Sequence, residues 1–213
     1  MAPPAPQASA RLRHKLRPAY ATGFGEARCA RPVGNGHATI PRHSLLLIQK
    51  KVVLLGASGV GKTSLVRQFV ESLFDERYLT TIGVKVDKKR IDLDGEDVTL
   101  MLWDIAGAEE HFSFPSTYVR GAAGYILVVD GTRSETLDTA SAIVDQVLRD
   151  VGPLPCVVAA NKADLADSWR VTPAALDALR EKSSATVLET SAKTGAGVED
   201  AFQALTRAML ARQ

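Results

Sequence analysis

Residues 56–63 constrain the fold of this chain more than any other part of its sequence. They read GASGVGKT, follow the apolar run 52–55, and lead directly into an amphipathic stretch at 64–74. This order of strand, glycine-rich loop and helix is the context that the pattern G-x-x-x-x-G-K-[ST] requires. Because glycines let successive backbone N–H groups converge beside the positive end of a helix, the loop predicts a phosphate-binding site.

Individual residues of the loop have expected roles at this site. We expect Lys62 to place its ammonium on the terminal phosphates and Thr63 to bring its hydroxyl to Mg²⁺. The other predicted phosphate-binding residues are Gly56, Ser58, Gly59, Val60, Gly61 and Ser64. A glycine-rich turn that binds nothing is the alternative, and the flanking strand and helix patterns argue against it.

Beyond the loop, strand-like apolar runs alternate with helical patterns. The apolar runs lie at 98–103, 125–129, 156–160 and 186–188, and the helical patterns at 137–148 and 198–209. This alternation predicts an α/β fold, the three-layer sandwich of P-loop NTPases, with helices on both faces of a mostly parallel six-stranded sheet. Asp94-Gly95 separates two strand-like segments and predicts a hairpin, so one edge strand is expected to be antiparallel.

The first 45 residues differ from the rest in composition. They are rich in Pro, Ala and Arg and carry seven Lys or Arg against one acidic residue. Such a segment has too few apolar groups to offset its ordering entropy, which predicts a disordered basic extension at 1–45 and one domain at 46–213. An organellar transit peptide, imported into mitochondria or another organelle, and a translation start upstream of the true initiator are the alternatives.

Charge and cysteine content exclude several function classes. Residues 46–213 hold 19 basic and 23 acidic residues, so the sequence pI of 8.6 comes from the extension and does not indicate a nucleic-acid partner. The two cysteines are too few for a disulfide framework or a cysteine metal site. They favour a reducing, cytoplasmic setting.

Two later motifs concern the base of a nucleotide. NKAD at 161–164 follows an apolar run, and SAK at 191–193 follows the next one. The Asp164 carboxylate can accept hydrogen bonds from the N1–H and 2-amino groups of guanine. Adenine lacks that donor pair and would leave the carboxylate unpaired, at a cost of about 1–3 kcal/mol. The predicted guanine-binding residues are Asn161, Lys162, Asp164, Ser191, Ala192 and Lys193.

With these motifs in this order, residues 48–212 resemble a small GTPase of the Ras superfamily, of the Rab type. The matching segments are GASGVGKT, YLTTIG at 78–83, WDIAG at 103–107, NKAD, and TSAK at 190–193. The resemblance implies that Thr81 reaches Mg²⁺ and the γ-phosphate, and that Phe74 stacks on guanine. It also implies that Asp104 holds Mg²⁺ through water and that the Gly107 N–H contacts the γ-phosphate.

Two of these assignments have plain alternatives. Phe74 could instead close the helix against the core, and Thr81 could simply begin a β-branched edge strand.

The resemblance also implies a function. It is a molecular switch that binds GTP or GDP with Mg²⁺ and hydrolyses GTP. Lys62, Thr81 and Gly107 would serve catalysis, and Thr63, Thr81 and Asp104 would hold the metal. Two loops, 75–83 and 107–119, would order around the γ-phosphate and be read by effector, exchange-factor and GTPase-activating proteins.

One departure from the family concerns hydrolysis. The family usually has a glutamine after the DxxG motif, where it orients the attacking water, and here Ala108 follows Gly107. A methyl group can neither donate to nor accept from water, so we expect slow hydrolysis. Glu109, Glu110 or His111, or a residue from a partner, could take the place of the glutamine. Alternatively, the loop register could differ by one residue, so that a glutamate faces the attacking water. A module that stays loaded with GTP is the alternative function, and NKAD argues against an ATP-dependent kinase.

A second departure is at the carboxyl terminus. The sequence ends MLARQ without the late cysteines that carry prenyl groups in Rab-like proteins, and Ala2 cannot be myristoylated. We therefore expect a protein without a lipid anchor. We also expect it to be a monomer.

Overall fold

The computed structural model describes residues 48–75, 81–106 and 114–212. Backbone contacts divide the chain into two units, Met1–His43 and Ser44–Gln213, and every described residue lies in the second. The predicted extension at 1–45 lies outside the described residues. The strands are β1 Ile48–Leu55, β2 Val84–Leu93, β3 Glu96–Ile105, β4 Gly124–Asp130, β5 Cys156–Asn161 and β6 Thr186–Glu189. The α-helices are α1 Lys62–Glu71, α2 Glu135–Asp150, α3 Pro173–Ser183 and α4 Val198–Leu210, and short 3₁₀ turns occupy Ser116–Tyr118 and Ala163–Ser168.

The six strands form one sheet in the order β2-β3-β1-β4-β5-β6. All neighbours are parallel except β2 and β3, which pair antiparallel. The hairpin between them turns at Asp94 and Gly95, whose φ angles of 55° and 85° suit a tight turn of this kind. The predicted α/β fold and its antiparallel edge strand are confirmed.

β1 lies at the point where the chain changes direction across the sheet. Its neighbours are β3 on one side and β4 on the other, so the order of the strands reverses at this position. In open parallel sheets the carboxyl ends of the strands at such a switch point leave a crevice in which ligands bind. The glycine-rich loop leaves β1 at that crevice, and β4 and β5 end on the same side of the sheet.

Helices cover both faces of the sheet, which explains why its central strands are apolar without interruption. Every residue of β4 and β5 is buried. One core cluster packs the sheet against α1 and α4 and includes Val52, Leu54, Leu102, Ile126, Phe69 and Phe202. The other packs it against α2 and α3 and includes Val53, Leu55, Tyr125, Leu127, Val144 and Leu179.

One helix boundary differs from the sequence prediction, and one helix had no predicted bounds. α1 ends at Glu71 because Ser72 takes a left-handed conformation, so Phe74 follows the helix instead of ending it. The sequence prediction gave no bounds for α3, although its start carries a recognisable signal. The Thr172 hydroxyl accepts a hydrogen bond from the Ala175 N–H, and Pro173 occupies the first helical position.

Within the described ranges, none of the helices has the length and apolar character needed to cross a membrane.

Candidate nucleotide-binding site

The glycine-rich loop takes a path that side chains would block at two positions. A Cβ on Gly56 would lie 2.3 Å from the carbonyl oxygen of Val128, and a Cβ on Gly61 would lie 2.3 Å from Nδ2 of Asn161. Both residues also have positive φ angles, of 146° and 99°. Glycine is therefore required at both ends of the loop, by backbone conformation and by close packing against β4 and β5.

Several carbonyl groups of the loop are fixed by side chains. The Lys62 ammonium donates to the carbonyl oxygens of Gly56 and Ala57 at 3.1 and 2.8 Å. The Asn161 amide donates to the carbonyl of Val60 at 2.9 Å. In a trans peptide the C=O and the following N–H point in opposite directions. Holding the Val60 carbonyl against Asn161 therefore turns the Gly61 N–H the other way, as an anion cradle requires.

Lys62 is a buried cation. Only 6% of the residue is exposed. Desolvation lowers the pKa of its ammonium to about 8, although the nearby Asp104 carboxylate favours the charged form. The two backbone carbonyls stabilise the ammonium only in part. A phosphate chain at this position would supply a full negative charge beside it.

Three oxygen-bearing side chains from separate elements meet beside Lys62. The Thr63 hydroxyl donates to Oδ2 of Asp104 at 2.6 Å, and the hydroxyls of Thr63 and Thr81 are 2.6 Å apart. Because Thr63 gives its proton to Asp104, Thr81 is the donor in the second contact. These are the three residues that the sequence assigned to the metal.

Asp104 carries the observation that tests whether this site fits a metal. It is 1% exposed, and its buried Oδ1 has no hydrogen-bond partner. Burial raises the pKa of the carboxyl, while the Thr63 hydrogen bond and the Lys62 charge oppose the shift. An unpartnered carboxylate oxygen beside two hydroxyls fits Mg²⁺, which prefers oxygen ligands and keeps several waters. No cluster of three or more His, Cys, Asp or Glu side chains occurs in the described part of the chain.

The two predicted base motifs also meet. Oδ1 of Asn161 accepts from the Ala192 N–H at 3.1 Å, while the other end of the same amide holds the phosphate loop. The Ser191 hydroxyl donates to Oδ1 of Asp164 at 2.6 Å and accepts from the Thr194 N–H at 3.1 Å. Asn161 thus joins three loops, and Ser191 fixes the orientation of the Asp164 carboxylate.

The remaining predicted site residues are less fully placed. Phe74 is 39% exposed, so the alternative in which it packs into the core is wrong, and its contact with guanine stays a prediction. Thr81 precedes β2 by three residues, so it does not begin that strand. Lys193 is exposed beside the Ser191 turn. Gly107 lies outside the described residues, as do Ala108, Glu109, Glu110 and His111.

Sequence reasoning missed a fully buried carboxylate at the end of β4, Asp130. Its side chain is 0% exposed and pairs with the Lys162 ammonium at 2.5 Å and with Nε of Arg133 at 2.8 Å. The N–H and hydroxyl of Thr132 donate to its other oxygen at 3.0 and 2.7 Å. Burial acts to raise the pKa of Asp130, but these donors outweigh it and hold the pKa below its ordinary value. An acid directly after an apolar strand run was the signal that could have revealed it.

Comparison with known proteins agrees with this geometry. The Ras family model matches residues 51–211. The chain belongs to the Ras family. It is 38% identical over 170 residues to the Ypt/Rab-type GTPase ypt7 of Pyricularia oryzae and to the Ypt/Rab-type GTPase Rab7 of Neurospora crassa. Each of these alignments covers 76% of this chain and 83% of the relative. It is 36% identical to the Ypt/Rab-type GTPase avaA of Emericella nidulans over 78% of this chain and 84% of that protein.

Membership of the Ras family gives the chemistry of the site. The protein is a Rab-like small GTPase that binds GTP and GDP with Mg²⁺, hydrolyses GTP, and works with regulator and effector proteins.

Substituting Gly61 should damage the site through Asn161. We expect Gly61→Ala to lower the free energy of unfolding and to weaken GDP binding at least tenfold, because its Cβ displaces the Asn161 amide. Gly152→Ala is the matched control, since Gly152 also has a positive φ, of 83°, but no atom lies within 4 Å of its Cβ position. Chemical denaturation and GDP titration measure both effects. Equal GDP affinity in the two variants would contradict this account.

GDP binding should depend on pH through Lys62. The pKa of its ammonium is lowered to about 8 in the free protein, and the phosphates favour the charged form, so binding takes up a proton above that pH. We expect uptake of roughly half a proton or more at pH 8.5, measured calorimetrically in buffers of different ionisation enthalpy. Without nucleotide, the lowered pKa means that stability rises with pH between about 8 and 10.5. Arginine does not titrate in this range, so the Lys62→Arg variant controls for ionisation of the guanine base. Equal proton uptake by both proteins on GDP binding would refute the role of Lys62.

Proposed function

We propose that this Ras-family protein is a guanine-nucleotide switch whose intrinsic GTP hydrolysis is slow, so that its GTP-bound state is long-lived. The observation that carries the switch is the contact between Thr63 in the phosphate loop and Thr81 in the loop before β2. It couples a loop that partner proteins can read to the place where Mg²⁺ and the terminal phosphate would bind.

Each part of the bound nucleotide has a matching group in the chain. The backbone amides of 56–63 and the Lys62 ammonium would bind the phosphates, while Thr63, Thr81 and Asp104 would hold the metal. When bound, Mg²⁺ supplies positive charge that neutralises charge developing on the phosphates. Asp164, oriented by Ser191, would accept two hydrogen bonds from guanine, and a backbone N–H of the SAK motif at 191–193 would reach the guanine carbonyl.

Slow hydrolysis follows from the residue after the DxxG motif. Ala108 has no group that can orient the attacking water, and positioning of a nucleophile by a side chain contributes roughly 10²–10⁴-fold to such reactions. Ala108 also favours the second candidate function, a module that stays loaded with GTP and turns it over negligibly. The two candidates differ only in the rate of hydrolysis.

Two further properties belong to the proposal. We propose that the working protein acts in the cytoplasm, because the described cysteine, Cys156, is buried and free, and that it acts as a monomer. The residues proposed to bind nucleotide are those predicted from the sequence, and residues 46–213 are proposed to act as one domain.

Nucleotide selectivity is the first test of this function. We expect GDP and GTP to bind at least 100-fold more tightly than ADP and ATP with Mg²⁺ present, because adenine lacks the two donors that the Asp164 carboxylate would accept from guanine. Fluorescence titration with labelled nucleotides measures this preference. Asp164→Ala should remove the preference while phosphate binding persists. Equal affinity of the unsubstituted protein for guanine and adenine nucleotides would contradict the proposal.

Single-turnover hydrolysis tests the proposed slow rate. We expect Ala108→Gln to hydrolyse bound GTP at least tenfold faster than the unsubstituted protein, because its amide can orient the attacking water. Ala108→Leu, which adds bulk without a polar group, is the control and should remain slow. If the glutamine variant hydrolyses GTP at the rate of the unsubstituted protein, Ala108 does not limit the reaction.

A further inference from the structure

Arg133 links the phosphate loop to the buried carboxylate of Asp130. It stands between β4 and α2, and its guanidinium donates from two different nitrogens. Nη2 donates to the carbonyl oxygen of Ser58 at 2.9 Å, and Nε donates to Oδ2 of Asp130 at 2.8 Å. Ser58 is 75 residues away in sequence, so the contact is a purely tertiary one.

The contact with Ser58 repeats the one that Asn161 makes two residues later in the loop. Asn161 holds the carbonyl of Val60 and Arg133 holds the carbonyl of Ser58, both from outside the loop. Since C=O and N–H point in opposite directions across a trans peptide, each contact turns the next N–H away from it. Arg133 therefore orients the N–H of Gly59, as Asn161 orients the N–H of Gly61.

Asp130 joins this contact to the base-recognition motif. The same oxygen, Oδ2, accepts from Arg133 and from the Lys162 ammonium. Lys162 has a positive φ of 71°, a conformation that a non-glycine residue keeps only when its surroundings hold it. One fully buried carboxylate thus fixes a cation bonded to the phosphate loop and a cation of the NKAD motif.

We propose that Arg133, itself held by Asp130, is a positioning residue for the phosphate chain and slows nucleotide release. This inference rests on the proposed function, in which the loop holds a guanine nucleotide. Arg133 acts through the Ser58 peptide, and none of its described contacts is with a residue assigned to the base or to the metal.

Removing the Arg133 side chain should leave the local fold intact. The turn is held by main-chain contacts, from the Arg133 N–H to the carbonyl of Asp130 at 2.9 Å and from the Thr136 N–H to the carbonyl of Arg133 at 3.2 Å. The Arg133 side chain is 38% exposed, so its loss opens no core cavity. A change in the rate of nucleotide release would then be due to the lost contact with the phosphate loop.

The test measures dissociation of fluorescent GDP in excess Mg²⁺ from the full chain. We expect Arg133→Ala to release GDP roughly five- to tenfold faster than the unsubstituted protein, since a hydrogen bond from a charged group to the loop is lost. Arg133→Lys should recover only part of the loss, because a compact ammonium cannot reproduce the planar fork that reaches both acceptors. Arg149→Ala, in the exposed last turn of α2, is the control and should release GDP at the unsubstituted rate.

A second measurement separates positioning from general destabilisation. The ratio of GDP to IDP affinity reports recognition of the guanine 2-amino group, and we expect Arg133→Ala to keep the unsubstituted ratio while release accelerates. Failure of the unsubstituted protein to hold labelled GDP would overturn the proposed function itself. If the unsubstituted protein holds GDP, the inference about Arg133 is overturned either by release from Arg133→Ala at the Arg149→Ala rate or by a changed GDP to IDP ratio.

Discussion

The orientation of the peptide groups in the phosphate loop is the constraint on which the rest of the site depends. A cradle for anions needs N–H groups that face one point, so the carbonyls of the same loop must face away and find donors elsewhere. Lys62, Arg133 and Asn161 supply those donors from α1, from the turn between β4 and α2 and from the end of β5. The loop conformation is therefore a property of the folded domain as well as of its glycines.

Three buried ionisable groups, Lys62, Asp104 and Asp130, form the second important feature of the site. Asp130 is surrounded by donors that hold its pKa low, whereas Lys62 and Asp104 have pKa values shifted toward their neutral forms by desolvation. The Asp130 carboxylate, whose charge is matched by nearby donors, holds Lys162 and Arg133 in place. Lys62 and Asp104 lie where phosphate and Mg²⁺, respectively, would bring opposite charge. A ligand that neutralises groups already held in place gains affinity without the cost of ordering them.

The contact between Thr63 and Thr81 links the proposed metal position to a loop that partner proteins could bind. Thr63 belongs to the first turn of α1, while Thr81 belongs to the loop before the edge strand β2. In the proposed switch, binding at the metal position would act on the segment before β2 through this pair of hydroxyls. A ligand that makes different contacts with two arrangements of a loop shifts the population between them, which is how such a switch would work.

The sequence by itself determined the local chemistry of this protein. The loop pattern, the strand and helix periodicity and the Asp94-Gly95 turn predicted the sheet and its antiparallel edge, because each depends on neighbours within a few residues. The loop pattern also assigned Thr63 to the metal, while Thr81 and Asp104 were implied by the family resemblance. Only the tertiary structure decided that Asp130 binds both Lys162 and Arg133, that Arg133 holds Ser58, and that Phe74 leaves the core. Those contacts join elements brought together by the strand order, and no periodic pattern along the chain encodes them.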